Sequence, residues 1–277
     1  MATVRVESAS HWYDKDGNPC HEVPRADGKG MRATTLADAR KLGLLPSVTN
    51  VLSVLNKPYL NAWKATQYIE AFMDVVSSTP PEDGTDRVAA AVELAEQRMA
   101  MPRDLGTLYH AAIADTIQCI EGNRNAIRVW PKEVDMVTLT AVVEWYAAHC
   151  SDGTSEKPFA STAGYGGCVD WYGFYREDPL DPADEPEFAV VDFKTQATTP
   201  GKPVRSYNEW AVQLAAYANG IGVSEALLMN LVISTTEPGR IEVVDWPEGV
   251  EYWYHNFLQV FAVWRSALGR NFDPRGE

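Results

Sequence analysis

The chain has 277 residues, which is enough for one large domain or two small ones with a sizeable hydrophobic core. Hydrophobic residues make up 45% and charged residues 22%, and this composition excludes a mostly disordered chain. The 24 basic and 38 acidic side chains give a net charge of −14, so the long-range field repels phosphate. The chain is therefore not a nonspecific binder of polyanions, and any contact with nucleic acid must be built locally or carried by metal ions.

The first hundred residues are predicted to form an arm and a helical part. Turn signals at residues 16–17 and 27–30 indicate a short hairpin. Thr35 can cap a brief helix that ends at Gly43, and a longer helix is expected from Tyr59 to Val76. A loop at 77–86 and helices at about 87–100, 104–121 and 132–149 are expected to follow.

After Cys150 the pattern changes to strands, which are expected at 157–176 and 187–194. The insert between them, at 177–187, is rich in acidic residues and proline. We interpret it as a solvated loop, with a partner-binding or DNA-mimicking element as the alternative. A helix at about 207–221, strands at 226–233 and 240–245, and a helix at 247–268 are expected next. This order predicts an α/β core over residues 101–277, with residues 1–100 packed on it.

The segment around Asp192 and Lys194 carries the first chemical signal. Side chains alternate along a strand, so Asp192 and Lys194 lie on one face while Val191 and Phe193 lie on the other. A carboxylate and an ammonium on an apolar strand are costly unless they are paired or used. A salt bridge at the edge of a sheet is the alternative to a functional pair.

A second acid, Asp170, ends a glycine-rich segment on another apolar strand. If the two strands are neighbours, Asp170 and Asp192 can converge on one site. Two nearby carboxylates repel each other unless a divalent cation lies between them, and Mg²⁺ typically takes one or two carboxylates together with substrate phosphate. A polar strand residue that faces solvent is the alternative for Asp170.

Two helical segments add polar side chains that the core pattern does not require. Gly106 and His110 share one face of a helix, on which the glycine could allow a close approach to another backbone. Gln213 and Tyr217 share a face of the helix after the Asp192 strand. A satisfied boundary histidine and a packed core tyrosine are the alternatives, and a buried Gln213 would need a polar partner.

In chain order, these four segments resemble the PD-(D/E)XK nuclease superfamily, specifically its RecB-like exonuclease branch. That branch has a G-x-x-x-H helix, a glycine-rich strand ending in an acid, a D-x-K-T strand and a Q-x-x-x-Y helix. The matching residues are Gly106 and His110, Gly167 and Asp170, Asp192-Phe193-Lys194-Thr195, and Gln213 and Tyr217. The segment after Pro46 is also similar to the front of small phage and mitochondrial genome-maintenance exonucleases, whereas residues 1–45 have no counterpart.

The resemblance implies a restriction-endonuclease-like core, which is a central mixed β-sheet flanked by helices. It implies that Mg²⁺ or Mn²⁺ is held by His110, Asp170, Asp192 and the Phe193 carbonyl. It implies that Lys194 activates water or stabilises charge, that Asp170 and Asp192 are catalytic, and that Glu156 is the nearest candidate for a further catalytic glutamate. It implies that the substrate is positioned by Gln213, Tyr217, Thr195 and Tyr165.

The sequence departs from the resemblance in two respects. Val169 stands where the family name has proline. Some relatives hold an iron–sulfur cluster with three cysteines near the C-terminus, but no cysteine follows Cys168, so no cluster is expected. The four cysteines are too far apart in sequence for a zinc or redox pair and are expected to be small buried residues.

We therefore expect a metal-dependent DNA exonuclease that acts on ends or single-stranded tails in recombination, repair or replication. A DNA- or partner-binding protein that does not cut, and a structure-specific endonuclease, are the alternatives. DNA is the expected partner, with a recombination or replication protein as a further one. Tyr59, Trp63, Trp171 and Tyr172 could stack on unpaired bases, with packing in the core as the alternative for most of them. With no apolar stretch long enough to cross a membrane, a cytoplasmic protein is expected, in the host cytoplasm if phage-encoded.

Overall fold

The computed structural model describes residues 11–78, 86–122 and 130–268, and the outermost residues and most of the loop expected at 77–86 lie outside these ranges. The chain is mixed α/β. Its elements are β1 (Trp12–Tyr13), β2 (Glu22–Pro24), β3 (Met31–Ala33), α1 (Leu36–Leu42), β4 (Leu45–Pro46), α2 (Val48–Leu52), α3 (Pro58–Ser78), α4 (Arg87–Ile120), α5 (Met136–His149), β5 (Cys150–Ser161), β6 (Tyr165–Tyr175), β7 (Glu187–Gln196), α6 (Asn208–Gly220), β8 (Leu227–Ser234), β9 (Ile241–Asp245) and α7 (Gly249–Leu268).

The N-terminal part contains the predicted hairpin and the predicted short helix. Strands β2 and β3 pair in an antiparallel arrangement around the turn at 27–30. Thr35 caps α1 with a reciprocal capping box to Asp38, and Gly43 ends the helix in the left-handed conformation at φ 64°. Both boundaries of α1 were therefore predicted correctly from local chemistry.

The prediction of two helices at 87–100 and 104–121 is wrong, because α4 is one continuous helix of 34 residues. Pro102 lies inside it and lacks the N–H that the helix would use at that position. Tertiary packing outweighs this local cost, since α3 packs along α4 and Arg98 forms an ion pair of 2.6 Å with Asp74.

The main sheet has five strands in the order β5-β6-β7-β8-β9. Strands β7 and β8 are parallel, and the other neighbouring pairs are antiparallel, so the expected mixed sheet is confirmed. Helix α6 is the crossover that a parallel β7–β8 pair requires. Strand β5 begins at Cys150 rather than at the expected 157, and the acidic insert is a loop from 176 to 186, as predicted.

Helices cover both faces of the sheet. Helices α6 and α7 pack one face with residues such as Leu214 and Phe257, while α4 and α5 pack the other with residues such as Ile113 and Val142. The four cysteines are free, as the absence of a predicted pair implies, but they are half-buried rather than buried as expected. No helix in the described part of the chain is long and apolar enough to cross a membrane.

Candidate functional site

The candidate site lies where strands β6 and β7 separate. Their pairing runs from Tyr175 opposite Glu187 to Trp171 opposite Val191. In the same register the next pair would be Asp170 opposite Asp192. At that level the backbone N–H of Phe193 donates instead to Oδ2 of Asp170, at 2.9 Å. The opening of the ladder thus places the two aspartates together, as the sequence predicted for neighbouring strands.

The alternation of side chains along β6 is reset at this point. Tyr165 and Val169 pack on the α6 and α7 side, whereas Trp171 and Tyr175 pack on the α4 and α5 side. A regular strand would send all four to one face, because they are an even number of residues apart. Asp170 lies at the reset, which frees its carboxylate to turn toward β7.

Asp192 is held at the centre of a buried hydrogen-bond network. The residue is only 2% exposed and faces α6, opposite to Val191 and Phe193, as the alternation predicted. Its Oδ1 accepts from Gln213 Nε2 at 3.0 Å, and its Oδ2 lies 2.7 Å from Lys194 Nζ. Lys194 also donates to Gln213 Oε1 at 3.1 Å, so three side chains form a closed triangle.

Asn230 is a further member of the network that sequence reasoning missed. Its Nδ2 donates to Asp192 Oδ2 at 2.8 Å and to the Asp192 carbonyl at 3.2 Å, and its Oδ1 accepts from Trp246 Nε1 at 2.9 Å. The residue is fully buried on the neighbouring strand β8. A lone asparagine within the apolar run 227–234 was the available signal, since a buried amide needs polar partners.

Helix α4 brings His110 to the same gap. His110 Nδ1 lies 3.3 Å from Asp170 Oδ2, and the imidazole stands edge-on to the Phe193 ring. Gly106 allows a close approach to a side chain rather than to the backbone that was expected, because a Cβ at this position would lie 2.9 Å from Thr195 Oγ1. Thr195 is half-buried at this contact, so its role toward a substrate stays a prediction.

The titratable groups in the gap shift one another's pKa values in opposite directions. Burial, opposed by Lys194 and reinforced by Asp170, raises the pKa of the Asp192 carboxyl to about 6. Burial acts on Asp170 in the same sense, but His110 and Lys194 outweigh it and lower the pKa of Asp170. Burial lowers the pKa of His110, yet the two aspartates outweigh it and the net shift is upward. Titratable groups whose pKa values are pushed apart in one gap are typical of functional sites.

Glu156 lies beside this cluster. Ser155 pairs with Trp171 and Lys157 pairs with Val169, which places Glu156 opposite Asp170. Its carboxylate accepts a hydrogen bond from Cys168 Sγ at 3.6 Å, and desolvation together with the charge of Asp170 raises its pKa. Its backbone φ of 52° is in the left-handed region, which costs a non-glycine residue about 1 kcal/mol or more.

Two of the residues expected to position a substrate are buried behind the site. Gln213 Nε2 donates to Tyr217 Oη at 2.8 Å, and Tyr217 packs edge-on against Phe159. Gln213 and Tyr217 therefore hold Asp192 and Lys194 in place. The assignment of Tyr165 to substrate contact is wrong, because this side chain is 0% exposed and its hydroxyl donates to the Ala216 carbonyl.

The donor set suits a hard divalent cation. Phe193 directs its N–H toward Asp170, and the carbonyl of a strand residue points to the same side as its N–H, so the Phe193 carbonyl faces the gap. Two carboxylates, this carbonyl and the His110 nitrogen could hold Mg²⁺ or Mn²⁺, and such ions keep several positions for water and phosphate. Within the described ranges, no group of three or more His, Cys, Asp or Glu side chains is placed so that these side chains alone could hold a metal ion.

Comparisons with known proteins do not identify a family. The sequence matches no protein-family model, and no curated protein matches it. Among solved structures the chain is similar to one titled "Crystal structure of SSO0001", with 13% identity over 76% of this chain and 88% of that chain. The TM-score of 0.28 is too low for this likeness to support an argument about either fold or function.

Proposed function

We propose that the chain is a Mg²⁺- or Mn²⁺-dependent deoxyribonuclease that releases nucleotides from DNA ends or single-stranded tails. The observation that supports the proposal most strongly is the convergence of Asp170, Asp192 and Lys194 at the gap between β6 and β7. Both carboxylates are bound by neighbouring donors, so the site is organised before any substrate arrives. The order of the four sequence segments, which resembles the RecB-like nucleases, supports the same class of reaction.

The carboxylates and the Phe193 carbonyl would hold the metal, with His110 as an additional ligand. A bound divalent ion would polarise the phosphate and lower the pKa of a water molecule that serves as the nucleophile. Lys194 has three N–H groups, of which two face Asp192 and Gln213. The third can donate to the attacking water or to a phosphate oxygen on which negative charge develops.

The buried partners of the site fix the position of these groups. Gln213 contacts both Asp192 and Lys194, while Asn230 holds Asp192 from the β8 side. Neither amide changes its charge during a reaction, so both can keep the carboxylate and the ammonium in place through a catalytic cycle. Such preorganised contacts act on the transition state without the cost of rearranging solvent.

The test is a digest of three DNA substrates with Mg²⁺, Mn²⁺ or EDTA present. Linear single strands labelled at the 5′ or the 3′ end report the polarity of nucleotide release. A covalently closed single-stranded circle reports cleavage that needs no end. We expect release of nucleotides from the linear strands only when the metal is present, and an intact circle.

Asp192→Asn is the test variant and Asp245→Asn is the matched control. Asp245 is an exposed aspartate on β9 of the same sheet. We expect the first variant to lose nucleotide release and the second to retain it, with both giving the circular-dichroism spectrum of the native chain. Cleavage of the circle would favour the endonuclease alternative, and DNA binding without any products would favour the protein that does not cut.

A further inference from the structure

A groove lies beside the candidate site and is not part of it. Its volume is about 740 Å³, which is in the range of sites that hold small organic groups. One wall is the start of α3 with the residues that precede it, 55–63, and the other is 205–210 at the start of α6. Lys57 and Glu209 form an ion pair of 3.0 Å that joins the two walls.

The groove exposes aromatic rings that a folded core would be expected to cover. Tyr59 is 71% exposed and Trp63 is 38% exposed, although both are large aromatic residues. They are four residues apart on α3 and therefore lie on the same face of the helix. Aromatic rings presented side by side in an open groove can stack on unpaired nucleobases, because every base has a π-face.

Neighbouring aromatic rings extend from the groove to Lys194, the lysine of the candidate site. The Tyr59 and Tyr207 ring centroids are 6.5 Å apart, and those of Tyr207 and Trp210 are 5.3 Å apart. Lys194 Nζ lies 5.9 Å from the centroid of the Trp210 ring. A strand whose bases lie in the groove would thus have its backbone close to the group proposed to act on phosphate.

The charge of the groove also suits a nucleic-acid strand. Its lining carries two cations, Lys57 and Arg205, against the single anion Glu209, in a chain whose net charge is −14. Glu209 is already paired with Lys57. The Arg205 side chain is exposed, and its guanidinium makes no hydrogen bond or ion pair with the described residues, so it can bind a phosphate.

We propose that this groove binds the unpaired bases of single-stranded DNA and feeds that strand to Lys194. The inference rests on the proposed function for its last step, but binding in the groove is independent of cleavage. Tyr59 and Trp63 supply the stacking faces, and Arg205 supplies a phosphate contact. Duplex DNA would bind poorly, since its bases are stacked on one another and cannot enter the groove.

The test compares two probes that differ only in their bases. One is a fluorescent oligothymidylate of twelve nucleotides, and the other is a twelve-nucleotide abasic strand with the same phosphates. Binding is measured by anisotropy in EDTA, so no cleavage can occur. We expect the native chain to prefer the thymidylate strand at least tenfold.

The Tyr59→Ala, Trp63→Ala double variant is expected to lose this preference, because its affinity for thymidylate falls at least tenfold while its affinity for the abasic strand is unchanged. Trp63→Phe should retain most of the preference, since a phenyl ring still stacks. Arg205→Gln should weaken both probes equally by a few-fold. Tyr252→Ala is the control, because Tyr252 is 53% exposed on α7, outside the groove, and this variant should behave as the native chain.

Equal losses for both probes in the double variant would overturn the proposal, as would an unchanged preference or no binding of thymidylate by the native chain. A native chain that sediments as a dimer, with the Tyr59→Ala, Trp63→Ala double variant sedimenting as a monomer, would also overturn it, because the rings would then be covered by a second copy. If the preference depends on the groove but no DNA is cut in Mg²⁺ or Mn²⁺, the binding of single strands in the groove stands, whereas the proposed nuclease function and the delivery of the strand to Lys194 fail.

Discussion

Strand β8 connects two polar clusters that use similar residues and behave oppositely. Near one end, Arg240 contacts both Glu237 and Glu242, and Thr198 donates to Glu237. These half-buried contacts, above all the hydrogen bond from Thr198, lower the pKa of Glu237, so they stabilise its charged form. At the other cluster, Asn230 holds Asp192, whose pKa burial raises to about 6 despite the adjacent Lys194.

The difference separates a structural ion network from a candidate active site. In the first cluster the charged form of Glu237 gains from its neighbours, and the ions keep part of their surface in contact with water. In the second cluster the buried Asp192 carboxylate remains costly to charge even with an ammonium beside it. A buried carboxylate that is costly to ionise in the folded state is suited to bind a cation, because the cation stabilises the charged form.

The largest expected effect is on the rate of DNA hydrolysis, when the cationic side chain of each cluster is removed in a separate variant. Lys194→Met should lower DNA hydrolysis by about a hundred- to a thousandfold, because a donor aimed at developing charge is lost. Arg240→Met should leave the rate per folded molecule unchanged and lower the unfolding temperature. Nucleotide release and thermal melts on both variants provide the check, and equal activity in the two would erase the contrast between the clusters.

Metal binding should depend on pH with a sign fixed by Asp192. Its folded pKa of about 6 lies above the ordinary value of 3.8, so its contribution to stability is present at low pH and is lost as the pH rises through about 6. A bound cation requires the charged form and offsets this loss. The increase in unfolding temperature on adding Mn²⁺ should therefore be large at pH 7.5 and small at pH 5.

Thermal melts with and without Mn²⁺ across this range provide the measurement. Below pH 6, each further decrease of one pH unit should lower the apparent Mn²⁺ affinity by up to about tenfold for each ligand proton that the ion must displace. The raised pKa of His110 acts in the same direction, because a ligating imidazole must be neutral. A Mn²⁺ effect that grows toward pH 5 would contradict the assignment of Asp192 as a ligand.

Glu156 and Asp152 offer a smaller, closely matched comparison. Both are acidic residues of β5 with positive φ, at 52° and 48°, but only Glu156 lies opposite Asp170. Glu156→Gln should lower hydrolysis at limiting metal by about tenfold, which is typical for a partner next to the ligands. Asp152→Asn should have no effect, and a rate loss shared by both variants would point to backbone strain as its cause.

The smallest effect concerns the contact between α4 and β7. Gly106→Ala should stabilise an isolated helix by up to about 1 kcal/mol, but the added Cβ would lie 2.9 Å from Thr195 Oγ1. We expect the single variant to lower the unfolding temperature slightly. The Gly106→Ala, Thr195→Ala double variant should recover it, and additive effects in this cycle would argue against the close contact.

Local patterns predicted much of this molecule, and tertiary context accounts for the failures. The cap at Thr35 and the shared face of Asp192 and Lys194 follow from backbone periodicity and hydrogen-bond chemistry alone. The continuity of α4 through Pro102 does not, because packing against α3 offsets the local cost of the proline. The reset of alternation at Asp170 was likewise invisible, since it depends on the strand pairings on both sides of β6.

The candidate site shows the same division. The spacing of Gln213 and Tyr217 predicted a shared helical face, but only the folded chain shows that both lie behind the site. The resemblance assigned Tyr165 to the substrate, yet the folded chain buries its ring in the core. Asn230 escaped notice because its role depends on register with β7, which a single strand does not reveal.

The most direct test of the metal site is the anomalous diffraction of a crystal soaked in Mn²⁺, with and without a short single-stranded oligonucleotide. The account predicts an ion between β6 and β7 that is ligated by carboxylate oxygens of Asp170 and Asp192, with Lys194 Nζ facing the same gap. No ion at this position at millimolar Mn²⁺, or an ion bound elsewhere while the Asp192–Lys194 pair stays unchanged, would contradict it.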